Sequence, residues 1–214
     1  MHLLASTSGI ISDQNDAIDL CQSPGDIVIL SAADSDLACL SAAYQRFEPG
    51  KHSLRLANLL QLNHNLSVDL YIEKTLCHAR LIIIRLIGGL NYWPYGLSEI
   101  KAVAKKFDIR LVVIPGDDKP DVELTSYSTV SPEILERCWM YFTHGGIDNA
   151  LNLLVYANSI LGDKEPWKEP APLLKAGFYS PSIDLPSFLD IEKCWIPGRS
   201  VISVSYTHLR AHET

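Results

Sequence analysis

Three runs of this chain are apolar almost without a break: DIVILSAA (26–33), RLIIIRLIGG (80–89) and IRLVVIPG (109–116). They are rich in β-branched residues. They lack the apolar–polar alternation of a strand with one wet face. Strands of this kind are buried on both sides, as in a parallel sheet covered by helices above and below. Turn residues punctuate them: Pro24–Gly25 before the first, Gly88–Gly89 after the second, Pro115–Gly116 closing the third. HLLAST (2–7) and SLRLANLL (53–60) read as further strands with weaker patterns.

Helical patterns fill the gaps. Leu37, Leu40, Ala43 and Tyr44 recur at helical spacing after Asp34 and Ser35, either of which can cap. Val68, Ile72, Leu76 and Ala79 make an apolar stripe over 67–79. Over 97–108, Leu97, Ile100, Val103, Ala104 and Phe107 share one face and the lysines take the other. The segment 131–142 opens with Ser131 as N-cap and Pro132 at the first helical position. Gly145–Gly146 separates it from a last helix over 147–161. Strand and helix in alternation predict an α/β domain over 1–162, with a doubly wound, mostly parallel sheet flanked by helices. Its central strands are expected near 27–31, 81–87 and 110–114.

Residues 163–200 differ in kind. They are rich in proline, show little periodicity and carry Trp167, Tyr179 and Trp195, which reads as an arm or linker. VISVSY at 201 begins like a strand, and the chain then stops within a few residues. Its tail, SYTHLRAHET (205–214), resembles translated sequencing-adapter sequence. The expectation is a truncated element followed by an artefactual tail, so the i, i+4 pair His208 and His212 carries no metal reading.

Bulk properties narrow the function. The 214 residues are 47% hydrophobic and 20% charged, with a net charge of −7 and no basic stripe, which argues against phosphate-driven nucleic-acid binding. No apolar run reaches the roughly 18 to 20 residues of a membrane span, and MHLLASTSG lacks the basic start of a signal peptide. A cytoplasmic protein is expected. Cys21, Cys39, Cys77, Cys138 and Cys194 form no C-x-x-C pair and read as reduced thiols. No phosphate loop, H-E-x-x-H or G-x-S-x-G occurs.

In a doubly wound sheet, ligands bind beyond the carboxyl ends of the strands. Those ends supply Ser31 and Asp34, then Asn58, then Gly88 and Gly89, then Gly116, Asp117 and Asp118. The stretch RLIGGLNYWPYG (85–96) adds Tyr92, Trp93 and Tyr95. Two readings are open for these aromatics: a rim facing a flat ligand or another surface, or cover for the sheet edge. Arg85, inside an apolar strand, requires a carboxylate partner or an anionic ligand. The acids of GDDKPD (116–121) read either as ligands for a hard cation or as a solvated turn. His144 suits a helix C-terminus.

The stretches MHLLAST, SPGDIVILSAADSDLA, SLRLANLLQLNHNLSVDLYIEKTL, HARLIIIRLIGGLNYWPYG and IRLVVIPGDDKPD, followed by APLLKAGFYSPSI and CWIPG, together resemble the N-terminal region of the aerobic cobaltochelatase large subunit, the CobN family, related to the magnesium chelatase large subunit. The resemblance runs through 1–204. It implies a piece of a porphyrinoid-binding subunit in an ATP-dependent ligase. That enzyme inserts Co²⁺ into hydrogenobyrinic acid a,c-diamide in cobalamin biosynthesis. It also implies AAA+ type partner subunits that use ATP and Mg²⁺, no cofactor bound by this stretch, and catalytic residues elsewhere. A non-catalytic docking module, or a magnesium-chelatase homologue acting on a porphyrin, are the alternatives. Neither nucleic acid nor membrane is an expected partner.

Overall fold

A computed structural model describes residues 17–46, 52–172, 178, 180, 182–183 and 186–195. The expected strand at 2–7, Tyr179 and the segment 201–214 lie outside these residues. The described chain divides into two compact units, one within Ser12–Leu173 and one including Leu174–Thr214.

The larger unit holds a sheet of four parallel strands, β1 (Ile27–Ser31), β2 (Leu54–Asn58), β3 (Leu81–Leu86) and β4 (Arg110–Pro115), in the order β2–β1–β3–β4. Ile27 stands opposite both Leu54 and Leu81, and Leu81 stands opposite Arg110, so all four strands begin along one line. The expected α/β architecture is present, and the unbroken apolar runs are its central strands.

Each central strand feeds two cores. Val28, Leu30, Ile82, Ile84, Leu111 and Val113 face one side. There they meet α2 (Asn65–Lys74) and α3 (Pro94–Phe107) through Val68, Tyr71, Leu97 and Ile100. Ile27, Ile29, Leu81, Ile83, Val112 and Ile114 face the other. On that side lie α1 (Asp34–Arg46), α5 (Pro132–His144) and α6 (Ile147–Ile160). Alternate residues point to opposite sides, so burial on both sides demands apolar residues at every position.

Boundaries shift where side chains intervene. Asn58 ends β2 because its Oδ1 accepts the Leu60 N–H at 2.9 Å and opens a 3-10 turn over Leu59–Leu62. The free edge of β4 is closed by side chains rather than by a fifth strand. Thr129 Oγ1 and Ser128 Oγ accept the Leu111 and Val113 N–H groups, each at 2.8 Å. A sheet edge satisfied in this way offers no row of free groups to another chain. After α6, residues 163–172 have no regular structure and are clamped to helix side chains. Arg137 forms a two-pronged pair with Glu169 at 2.9 and 3.0 Å and lies 4.6 Å above the Trp167 ring. Asn149 both donates to and accepts from the Ala171 backbone, each at 2.9 Å.

In the smaller unit, α7 (Phe188–Glu192) is opened by a reciprocal cap between Ser187 and Asp190. Phe188 packs between Phe178 and Trp195, with ring centroids 5.8 and 5.6 Å away.

The start of the sheet is fastened by Asp26, just before β1. Its carboxylate accepts the Ser53 N–H at 2.9 Å and the Ser53 hydroxyl at 2.7 Å. These bonds hold its pKa below the ordinary 3.8, because they favour the charged form. A depressed folded-state pKa contributes stability above the ordinary value, and that contribution fades as pH falls through the folded one. Asp26→Asn is expected to cost about 1 kcal/mol at neutral pH. Urea melts across a pH series should show the difference from the parent shrinking only below the ordinary 3.8.

Candidate functional site

The strand order reverses direction between β1 and β3, and the crevice beyond their carboxyl ends is where a doubly wound sheet places a ligand. Here the crevice is occupied by the chain's own charges. Arg85 Nη1 lies 2.6 Å from Asp36 Oδ1, and Arg85 Nη2 donates to the Gly116 carbonyl at 2.6 Å. The Ser31 hydroxyl donates to Asp36 Oδ2 at 2.7 Å and accepts the Ala33 N–H at 3.1 Å. The guanidinium carbon sits 5.4 Å from the centre of the Phe142 ring. Both charged side chains are only 13% exposed. The network therefore ties β1, α1, β3, the β4 exit and α5 together. Arg85 Nε is buried with no hydrogen-bond partner among the described residues. Asp36, the carboxylate at the centre of the network, is not singled out by the sequence. Its position five residues after Ser31, on the first turn of α1, is the signal that returns its carboxylate over the strand end.

The remaining candidates separate. Asp34 and Asn58 join each other, with Asn58 Nδ2 donating to Asp34 Oδ1 at 2.7 Å, so both serve the loops leaving β1 and β2. Gly88 and Gly89 adopt φ of +92° and +73°, a region that side chains resist, and turn the chain as it leaves β3. Tyr92 lies over Gly88 and stays 47% exposed.

Trp93 corrects the expectation of an aromatic rim. It is only 4% exposed, packs in the core under α2 and α3, and donates from Nε1 to the Leu62 carbonyl at 2.9 Å. Its room is made by Gly96, where an added Cβ would come within 2.1 Å of the indole ring. The cause is the proline: Pro94 starts α3 immediately, so residue 93 sits at the helix N-cap and its ring is carried down with the helix. Tyr95 also leaves the rim. Its ring is half-buried on the same core, and its hydroxyl donates to Asp69 Oδ1 at 2.8 Å. That bond to a carboxylate raises the phenol's pKa.

Asp117 and Asp118 are exposed in the turn after β4. The Asp117 carbonyl accepts Trp139 Nε1 at 2.9 Å, and Asp121 Oδ1 caps α4 (Val122–Thr125) by accepting the Leu124 N–H at 2.9 Å. Gly88, Gly89, Gly116, Asp117 and Lys119 line an open cleft of about 450 Å³. A second cavity, about 240 Å³, lies between α1, α5 and α6 and is lined by Asp36, Cys39, Phe142 and Gly145. Burial, and Asp36 nearby, push the Cys39 thiol pKa up. Among the described residues no group of three or more His, Cys, Asp or Glu side chains is placed to hold a metal ion. No helix among them is long and apolar enough to cross a membrane.

Trp93→Ala is expected to cost about 3 to 5 kcal/mol, the size of removing a core tryptophan. Tyr92→Ala, one residue away, should cost less than about 1 kcal/mol. Equilibrium unfolding of the two variants checks the pair, and equal losses would contradict the placement of the two rings.

No family model matches the chain. Curated proteins do. The chain is 44% identical over 205 residues to the "Aerobic cobaltochelatase subunit CobN" of Sinorhizobium sp., which covers 96% of this chain and 15% of that protein. It is 37% identical over 217 residues to the Pseudomonas aeruginosa protein of the same name, covering all of this chain and 17% of that protein. Among solved structures, the "Catalytic Subunit of Cobaltochelatase from Mycobacterium tuberculosis" matches 72% of this chain and 12% of its own, with a TM-score of 0.57 and 26% identity. The chain thus spans about a sixth of the curated relatives' length. Alignments that span nearly the whole chain at 37% and 44% identity, and likeness in fold to a solved cobaltochelatase subunit, lead to one conclusion: this chain belongs to the aerobic cobaltochelatase CobN family.

Proposed function

We propose that the chain is the N-terminal part of the porphyrinoid-binding subunit of an ATP-dependent cobaltochelatase. The whole subunit would insert Co²⁺ into hydrogenobyrinic acid a,c-diamide on the route to cobalamin. The observation that carries this reading is 44% identity across 96% of the chain to a CobN protein. Co²⁺ is here a substrate. ATP and Mg²⁺ belong to AAA+ type partner subunits, and the complex works in the cytoplasm.

Within that enzyme the domain acts as a positioning and docking element rather than as the place where metal enters the ring. Two features support this. At the reversal of strand order Arg85 and Ser31 both bond to Asp36, so its carboxylate is not free to receive a proton from a macrocycle nitrogen. Trp93 and Tyr95 are spent on the core and on Asp69, which leaves Tyr92 as the exposed aromatic of that loop and no aromatic platform of macrocycle width at the strand ends among the described residues.

The test is a chimera. The matching region of the Sinorhizobium relative is replaced by this chain, and cobalt insertion is assayed with ATP, Mg²⁺ and the partner subunits. The chimera is expected to insert cobalt, while the 214-residue chain alone leaves the absorption spectrum of the macrocycle unchanged. A folded but inactive chimera would overturn the family role. A spectral shift with the isolated chain would overturn the division of labour.

A further inference from the structure

Charge in the larger unit is sorted along the strand direction. The carboxyl ends of the strands carry Asp34, Asp36, Asp117, Asp118 and Asp121. The opposite end gathers cations around its β3–β4 side, while Asp26, just before β1, is bound to Ser53. Arg80 precedes β3 and Arg110 begins β4, and the two are neighbours, since the Arg110 N–H donates to the Arg80 carbonyl at 3.1 Å. Lys105 and Lys106 stand in the last turn of α3, which ends beside them. Arg80, Lys101, Lys105 and Arg110 line one open groove of about 710 Å³, together with the single acid Asp108. Phe107, 49% exposed, lines the same groove. All this stands on a chain whose net charge is −7.

Helix polarity accounts for lysines at the end of α3. It does not account for Arg80 and Arg110, which belong to no helix. Nor are these cations consumed internally. Arg80 reaches the Leu161 carbonyl and His52 Nδ1, each at 3.3 Å, with the Asp26 carboxylate nearby, and Lys101 reaches the Ser126 carbonyl at 3.3 Å, so neither has a carboxylate as its direct hydrogen-bond partner. The side chains of Lys105 and Arg110 make no hydrogen bond or ion pair among the described residues.

We infer that this groove is a docking surface for an acidic protein segment that carries an apolar side chain to cover Phe107. Charge complementarity selects the partner. Four cations around one groove create a local positive potential that steers an acidic surface and suppresses basic ones. A long nucleic acid is disfavoured by the overall negative charge and by the aspartates at the other end of the sheet. A small anion is disfavoured because the cations are borne on exposed side chains around an open groove, with no enclosed donor set to replace its hydration. The inference does not depend on the proposed role in cobalt insertion.

The probe is a fluorescein-labelled peptide of glutamates around one central phenylalanine, titrated against the 214-residue chain and read by anisotropy at low and high salt. Binding is expected at low salt and should weaken as salt rises. The double variant Lys105→Glu, Arg110→Glu should weaken it at least about tenfold. Lys119→Glu, at the opposite end of the sheet, should leave it unchanged. If the double variant does not fold, Lys105→Gln with Arg110→Gln decides, and about a threefold loss is expected from neutralisation alone. The inference is overturned if the parent chain does not bind, if the charge variants bind as the parent does, or if Lys119→Glu weakens binding equally. It is also overturned if duplex DNA or inorganic phosphate displaces the peptide at matched charge. Those outcomes would mean, respectively, a general polyanion surface and a simple anion site.

Discussion

An arginine in the middle of a parallel sheet sets the terms for everything around it. Arg85 leaves β3 with both faces of the strand buried, and a guanidinium there must find a carboxylate or be expelled. Asp36 supplies the charge at 2.6 Å, Ser31 fixes the carboxylate, and the Gly116 carbonyl takes the second nitrogen. These partners come from α1, β1 and the β4 exit. The pair therefore fixes where the first helix starts and how the last strand leaves. It also fills the crevice that sheets of this topology usually give to a ligand. A fold of the ligand-binding kind has here been closed by its own ion pair, and the surfaces left for recognition lie to either side.

The same economy appears at the margins. The edge of β4 is finished by two hydroxyls, Ser128 and Thr129, and the chain beyond α6 is held by Arg137, Asn149 and Trp167. Burial and hydrogen bonding are supplied by side chains where another strand would otherwise be needed. Aspartates predominate beyond the strand ends, and Arg80, Lys105 and Arg110 line a groove at the starts of β3 and β4.

The central strands were legible because burial on both faces favours apolar residues at nearly every position, and Ile27–Ser31, Leu81–Leu86 and Arg110–Pro115 fall where their apolar runs predict. The helices were legible from their stripes, and Ser131–Pro132 marked the start of α5. Loop orientation was not legible. Trp93 reads in sequence like Tyr92, yet Pro94 and Gly96 draw it into the core, and only the pairing of that glycine with the indole reveals it. The need of Arg85 for a partner was readable, but the choice of Asp36 over Asp34 was not. Asp34 and Asp36 stand only two residues apart in the first turn of α1, where side chains at that spacing face different ways. The basic groove was also hidden, because Arg80, Lys105 and Arg110 are scattered in sequence and meet only once β3 and β4 are in register.

The most direct test of this account is a double-mutant cycle on Arg85 and Asp36, read by urea unfolding of the 214-residue chain. Arg85→Met and Asp36→Ala should each cost about 3 kcal/mol, because each leaves the other charge buried without its partner. The double variant should lose much less than the sum, with a coupling of at least about 1.5 kcal/mol. Single losses below about 0.5 kcal/mol that simply add would contradict the account, and would mean that the pair is a bystander to the fold.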